Sequence, residues 1–211
     1  MCRAVKVILV RHGETIWNTE GRIHGHSDSS LTKDGILQAD KTGERLTELN
    51  IGEIYSSDLG RTMQTAAIIN EHLNLKITPV SCLRERKYGL LEGVAFSELQ
   101  SLYPEIREKL YSRNPEYEIP NGESLNIFSE RVYDCINHIA ENTSFKTILL
   151  IIHGGVLECF LYKVIGLKLN VKRKFSLYNS SINIFSLNRG VWELDLWGSI
   201  EHLDTSNSLS L

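Results

Sequence analysis

No stretch of this chain approaches the roughly 20 consecutive apolar residues that a helix needs to cross a bilayer, and Arg11 cuts short the apolar run near the N-terminus. Neither a membrane span nor a secretory leader is expected, so the protein reads as soluble and cytoplasmic. An excess of one charge is also missing. The 23 Lys and Arg stand against 26 Asp and Glu, and the basic residues are scattered, which argues against nucleic acid as a partner. Any basic surface must be local to a pocket. Cysteine is scarce: Cys2, Cys82, Cys135 and Cys159 lie far apart, with no Cys-x-x-Cys pair and no zinc-site spacing. They read as reduced, mostly buried thiols, and the apolar neighbours of Cys159 favour packing over catalysis. No internal repeat or low-complexity tract breaks the chain, and 211 residues suit a single domain with a core built over a central sheet.

Within that unremarkable composition, two junctions stand out. Val5 to Val10 reads as a short apolar strand that runs directly into Arg11-His12-Gly13-Glu14-Thr15. A strand end followed by glycine and then a helical stretch offers backbone N–H groups to an anion, which places Arg11 and His12 where a phosphate would be drawn. The pattern recurs far downstream, where Thr147 to Ile152 ends in His153-Gly154-Gly155 and the helix-like segment Val156 to Ile165 follows. Ligands of open α/β sheets bind at the carboxyl ends of strands, so the two histidines are candidates to converge.

The remaining pattern is strand, helix, strand, helix, strand. Thr32 can cap a helix running to about Leu49, with Ile36, Ala39, Leu46 and Leu49 on one face. Ile54 to Ser57 is a strand, Asp58 begins a helix buried through Met63, Ala66, Ala67, Ile69 and Leu73, and Ile77 to Val80 is a third strand. This alternation predicts an α/β three-layer sandwich with a mostly parallel sheet and helices on both faces. Between about residues 90 and 121 the alternation lapses into a short helix from Phe96 to Tyr103 and a segment punctuated by Pro104, Pro115 and Pro120. Because it keeps Leu99, Leu102, Tyr103, Leu110 and Tyr111 for packing, it reads as a lid. Ser124 to about Asn142 is helical. Ser181 to Leu187 and Val191 to Trp197 form an antiparallel hairpin at a sheet edge, an edge that could pair with a second copy. The tail from about Thr205 is expected to fray.

Two further charged positions follow strand ends. Arg61 opens the helix after the second strand, where its guanidinium can clamp a phosphate through two parallel hydrogen bonds, with Asp58 either orienting it or capping the helix. Glu85, in Leu83-Arg84-Glu85-Arg86-Lys87-Tyr88-Gly89, can donate a proton to a leaving oxygen or take one from water. His24-Gly25-His26 invites a metal reading, but alternate histidines in a polar loop more often line a pocket or face solvent. No metal and no cofactor are expected.

Taken in order, Arg11-His12-Gly13-Glu14-Thr15 with Trp17-Asn18, Ser57-Asp58-Leu59-Gly60-Arg61-Thr62, Glu85 ahead of Tyr88-Gly89-Leu90-Leu91-Glu92-Gly93, and His153-Gly154 resemble the histidine phosphatase superfamily in its phosphoglycerate-mutase-like branch. The resemblance covers nearly the whole chain. It implies that His12 is the nucleophile that becomes phosphorylated, that Arg11, Arg61 and His153 surround the transferred phosphoryl group, and that Glu85 is the proton donor. Asn18 would add a hydrogen bond, and Gly25 would approach the phosphate through its backbone. His24, Tyr88 and Gly154 complete the expected substrate-facing set.

Mutases that resemble this chain in the core carry a longer insertion after the acid, with a lysine and paired arginines. Here Phe96 falls about where that lysine would stand, and Arg107 and Arg113 are isolated in a short lid. A phosphatase must admit water where a mutase must exclude it. The sequence is therefore read as a metal-independent phosphomonoester hydrolase for a small phosphorylated metabolite. Phosphoglycerate mutase is the alternative enzyme, and a non-catalytic phospholigand-binding module is the alternative from another class. Shorter bacterial proteins called phosphoglycerate mutases share Asn121-Gly122-Glu123-Ser124 and Leu177 to Ile182.

Overall fold

A computed structural model describes residues 4–203; Cys2 and the segment from Thr205 lie outside it. The elements, in order, are β1 (Val5–Arg11), α1 (Ile16–Thr19), α2 (Lys33–Leu46), β2 (Glu53–Ser56), α3 (Gly60–Leu73), β3 (Ile77–Pro79), α4 (Leu99–Leu102), α5 (Pro104–Tyr111), α6 (Leu125–Asn142), β4 (Thr147–Ile152), α7 (Gly154–Val164), β5 (Ile182–Asn188) and β6 (Val191–Ser199). The strands form one sheet in the order β3-β2-β4-β1-β5-β6. Pairing is parallel from β3 to β1 and antiparallel through β5 and β6. This is the expected α/β sandwich with an antiparallel edge.

The unbroken apolar runs of β1 and β4 follow from burial on both faces. Val7, Leu9, Ile148, Leu150 and Ile152 face one core with Phe128, Val132 and Ile136 of α6 and Val156 and Phe160 of α7. Ile8, Val10, Leu149 and Ile151 face the other with Leu46, Ala66 and Ile69 of α2 and α3. The register pairs Arg11 with Ile152 and Ser56 with Ile151, so β1, β4 and β2 end side by side. Whatever follows each strand is delivered to one edge of the sheet.

Several local expectations are corrected. Helix α2 is capped by Thr32, whose hydroxyl accepts from the Gly35 N–H at 2.9 Å, but it ends at Leu46. Its buried face is Gly35, Ala39, Thr42, Gly43 and Leu46, leaving Ile36 exposed, because the helix approaches its neighbours through small residues. Helix α3 begins at Gly60 rather than Asp58. Its buried residues are Arg61, Thr62, Thr65, Ala66 and Ile69, so Met63 and Ala67 are not core. Pro104, read as punctuation, instead starts α5, since proline suits the first helical position, where its missing N–H is not needed. The 90–121 segment has a small core of Leu91, Leu99 and Ile119 joined by Tyr103 and Leu110, whereas Leu102 and Tyr111 are exposed. The turn between β5 and β6 places Arg189 and Gly190 at φ 52° and 79°, the left-handed pair that matches the twist of a two-residue hairpin.

The cysteine reading is also corrected. Cys82, in the turn Ser81–Leu83, is joined to Cys135 of α6 in a disulfide with Cα atoms 5.9 Å apart. Fifty-three residues separate the two along the chain, so no local spacing could announce the pair. Cys159 is free and buried, and burial pushes its thiol pKa up, which leaves it unreactive.

A Cβ built on Gly35 would lie 2.0 Å from the Glu14 carbonyl oxygen. Replacing an interior helical glycine by alanine ordinarily stabilises by about 1 kcal/mol. Here Gly35→Ala is expected to reverse that sign and destabilise by about 2 kcal/mol through overpacking against backbone. Urea unfolding of the two proteins measures the difference.

Candidate active site

His12 stands one residue past β1, and its N–H extends the strand ladder to the Ile152 carbonyl at 3.0 Å. Its ring is 4% exposed. Nδ1 lies 2.8 Å from the Gly13 carbonyl oxygen. A carbonyl can only accept, so Nδ1 carries the proton and Nε2 keeps its lone pair. Burial, reinforced by Arg61 and Arg11, holds the His12 pKa well below the usual histidine value. The imidazole is therefore neutral near pH 7.

Arg11, the last residue of β1, donates from Nη1 to the Leu177 carbonyl. Arg61, in the first turn of α3, is buried and donates from Nη1 to the Ser27 carbonyl and the Asp28 carboxylate, both at 2.9 Å, and from Nη2 to the Gly25 carbonyl at 2.8 Å. Desolvation lowers the pKa of both guanidinium groups, that of Arg11 to about 10. His153 sits at the start of α7, its ring centroid 5.4 Å from that of His12. Its Nε2 is 2.9 Å from the Ser57 hydroxyl at the end of β2, and burial followed by Arg61 depresses its pKa far below the usual value. Among the described residues, Arg11 Nε, Arg61 Nε and His153 Nδ1 are buried nitrogens without a protein hydrogen-bond partner. Buried polar nitrogens are rarely left so, and all three belong to residues grouped around His12.

Glu85 reaches the same place from the segment after β3. Its Oε1 accepts from the Arg86 N–H and its Oε2 from the Gly155 N–H, each at 2.8 Å. A Cβ on Gly155 would stand 2.2 Å from Oε1, so the second glycine after His153 is needed for the carboxylate to approach. Arg11, His12, Asn18, His24, Gly25, Arg61, Glu85, Tyr88 and Gly154 all line one cavity of about 560 Å³. His153 is fully buried next to His12 and is not among the lining residues. The Asn18 side-chain Oδ1 accepts from the Thr15 N–H at 3.1 Å and from Asn179 Nδ2 at 3.3 Å, which leaves its amide nitrogen as the side chain's donor. His24 Nε2 bonds the Thr15 hydroxyl at 2.7 Å, and burial takes its pKa to about 4. Burial, then Glu85, raises the Tyr88 hydroxyl to about 12, so it stays a neutral phenol. His26 Nε2 donates to the Glu85 carbonyl at 3.0 Å. No group of three or more His, Cys, Asp or Glu among the described residues is arranged to hold a metal ion.

Some parts of the site were not anticipated. Asp58 neither caps α3 nor touches Arg61; it forms a two-point pair with Arg84 at 2.6 Å. The capping carboxylate is Asp28, which accepts from the Gly60 and Arg61 N–H groups as well as from the Arg61 side chain. Glu92 accepts from the N–H groups of His26, Ser27 and Tyr88 at 3.0, 2.9 and 3.0 Å. Burial works to raise its pKa, but these hydrogen bonds win and lower it. Arg131 of α6 donates to the carbonyls of Cys82, Arg84 and Glu85. Of the lid side chains, Phe96 and Tyr88 line the cavity, Tyr103 packs inside the lid, Tyr111 lies under the Arg107 guanidinium, and Arg113 pairs with Glu158.

The chain resembles known proteins along nearly its whole length. A family model described as the histidine phosphatase superfamily (branch 1) matches residues 7–200. A Salmonella arizonae protein named "Probable phosphoglycerate mutase GpmB" is 39% identical over 205 residues, covering 95% of each chain. Among solved structures, Bacillus stearothermophilus YhfR is 28% identical with a TM-score of 0.88, covering 94% of this chain and 98% of its own. The alpha-ribazole phosphatase from Shigella flexneri is 26% identical with a TM-score of 0.83, covering 92% and 96%. With the match extending from β1 into the last described residues, this chain belongs to the histidine phosphatase superfamily, branch 1.

Proposed function

We propose that the protein is a metal-independent phosphomonoester hydrolase that acts on a small phosphorylated metabolite through a phosphohistidine at His12. The observation that carries this reading is a neutral imidazole with its Nε2 lone pair bare, set among buried donors that lack protein partners. In the first step Nε2 attacks phosphorus, the bond from phosphorus to the alcohol oxygen breaks, and protonated Glu85 delivers its proton to that oxygen. In the second, Glu85 takes a proton from water as the water oxygen displaces Nε2, releasing inorganic phosphate. Arg11, Arg61, His153 and the Asn18 amide hold the equatorial oxygens, where the transition-state charge is spread. Gly25 and Gly154 let backbone come close, and Tyr88 and His24 wall the cavity.

Hydrolysis is favoured over phosphoglycerate isomerisation by the lid. Its Arg107 and Arg113 are engaged with Tyr111 and Glu158, and Phe96 stands on the cavity wall, half exposed. In this reading the substrate is a soluble metabolite met in the cytoplasm. The free edge of β6 is the face that a second copy would use.

His12→Ala is expected to cut phosphate release at least about 1,000-fold and to abolish any acid-labile phosphoprotein trapped in a quench. Isomerisation of phosphoglycerate that depends on added bisphosphoglycerate would overturn the hydrolase in favour of the mutase. Tight phosphate binding by the wild type without a trapped phosphoprotein or turnover would favour the binding module.

Glu85→Gln is expected to lower kcat/KM, which ends at phosphoryl transfer to His12 and so excludes the later step in which Glu85 is the base, by about 100-fold or more for an alkyl phosphate. It should slow p-nitrophenyl phosphate much less, because that leaving oxygen needs no proton. Equal losses on both would remove Glu85 from the role of acid.

Because the His12 pKa lies below its usual 6.5, the ring stays unprotonated as pH falls through that value. The acid limb of kcat/KM, which reports the free enzyme, is expected well below pH 6.5 once ionisation of the phosphate ester itself is divided out; an enzyme limb centred at 6.5 would show that the imidazole is solvated.

A further inference from the structure

Beyond the groups facing the phosphate, the cavity widens to an outer wall that includes Arg22, Phe96, Glu158, Arg173 and Tyr178. Glu158 sits on α7, four and three residues after Gly154 and Gly155, so helical spacing turns it to the same side. Its side chain is 14% exposed. Oε1 accepts from Arg113 Nη2 at 2.7 Å, and Oε2 lies 4.0 Å from Arg173 Nε. Arg113 is further committed through Nε to the Leu169 carbonyl at 3.0 Å. Arg22 pairs with Glu20 at 2.7 Å and donates to the Gly93 carbonyl at 2.9 Å.

Each cation of the outer wall therefore already faces a carboxylate of the protein. A substrate whose alcohol carries its own carboxylate would have to enter beside Glu158 and compete with it for Arg173. Like charges at close range in a half-enclosed site repel strongly. A hydroxyl meets no such opposition, because an ionised carboxylate accepts only and has more lone-pair sites than one arginine contact uses. Phe96 and Tyr178 add exposed aromatic faces for a carbon skeleton.

We propose that Glu158 is a specificity-determining residue that selects phosphomonoesters of uncharged, hydroxyl-bearing alcohols and turns away those whose alcohol bears a carboxylate. The chemistry rests on the hydrolase reading above; the binding preference rests on the outer wall alone.

The test uses two compounds that differ by one group, glycerol 1-phosphate and 3-phosphoglycerate, in which a CH2OH replaces a carboxylate. Dissociation constants are measured by calorimetry on the full chain carrying His12→Ala, alone and combined with Glu158→Gln or Arg113→Met. The parent is expected to favour glycerol phosphate by about tenfold or more, Glu158→Gln to narrow that ratio by about tenfold, and Arg113→Met, which frees Glu158 of a neutralising partner, to widen it. If Glu158 merely ties the lid to α7, both variants break the same tie and move the ratio in the same direction. That result overturns the proposal, as does a parent protein that prefers 3-phosphoglycerate. Phosphate release by the wild type from the same compounds reads the hydrolase separately: selective binding without release keeps the assignment of Glu158 and removes the hydrolysis.

Discussion

A buried imidazole beside two guanidinium groups, Arg61 buried and Arg11 partly so, is stable only if it is neutral, and that constraint organises the rest of the site. Protonated His12 would add a third positive charge at close range in a medium that screens poorly. Its Nδ1–H is spent on the Gly13 carbonyl, so the lone pair is left on the nitrogen that faces the cavity. The arginines are in turn held chiefly by carbonyl oxygens: Leu177 for Arg11, Ser27 and Gly25 for Arg61, with Asp28 as a single carboxylate. Carbonyls fix orientation without cancelling charge. The positive potential that adds to burial in depressing both histidines remains available to an incoming phosphoryl group, which would recover part of the desolvation cost of the cations.

The carboxylates around this centre fall into two kinds. Asp28, Glu92 and Glu123 work outside it, accepting from backbone N–H groups or from Arg131 and so fixing the loops that carry Gly25 and Glu85. Glu85 and Glu158 line the cavity. The 82–85 segment is secured three ways, by the Cys82–Cys135 disulfide, by Arg131 on three carbonyls, and by the Gly155 N–H on the Glu85 side chain itself. Such mounting holds the Glu85 carboxylate in one place, as the proposed sequence of giving a proton and then taking one requires.

What the sequence made legible was the part with strong local contrast. An apolar run ending abruptly in Arg-His-Gly marks a buried strand meeting a polar edge, and two such ends in one parallel sheet must lie together, as Arg11 and Ile152 do. Asp28, Glu92 and Arg131 carry no such contrast, since single charged residues in loops or on a helix look like ordinary surface. Asp58 was misjudged for that reason, being nearer to Arg61 in sequence than Asp28 but bound to Arg84. On the buried face of α2, Ala39 and Leu46 were legible, whereas Gly35, Thr42 and Gly43 were not, because glycine and threonine weigh little in a hydrophobic pattern. The disulfide joins a turn to a helix that only the finished fold brings within reach.

Chemistry and selectivity are also built from different material. The phosphate end rests on strand termini and the first turns of α3 and α7, whose positions are set by the sheet and two packed cores. These elements can hold donors to the fraction of an ångström that phosphoryl transfer demands. The outer end draws Phe96 from the lid and Arg173 and Tyr178 from the loop after α7, with only Glu158 on a regular helix. Loops can exchange side chains without disturbing the sheet. The nucleophile proposed at His12 therefore says little about which alcohol leaves, and Glu158, the outer-wall charge carried on a regular helix, is the residue proposed to constrain that choice.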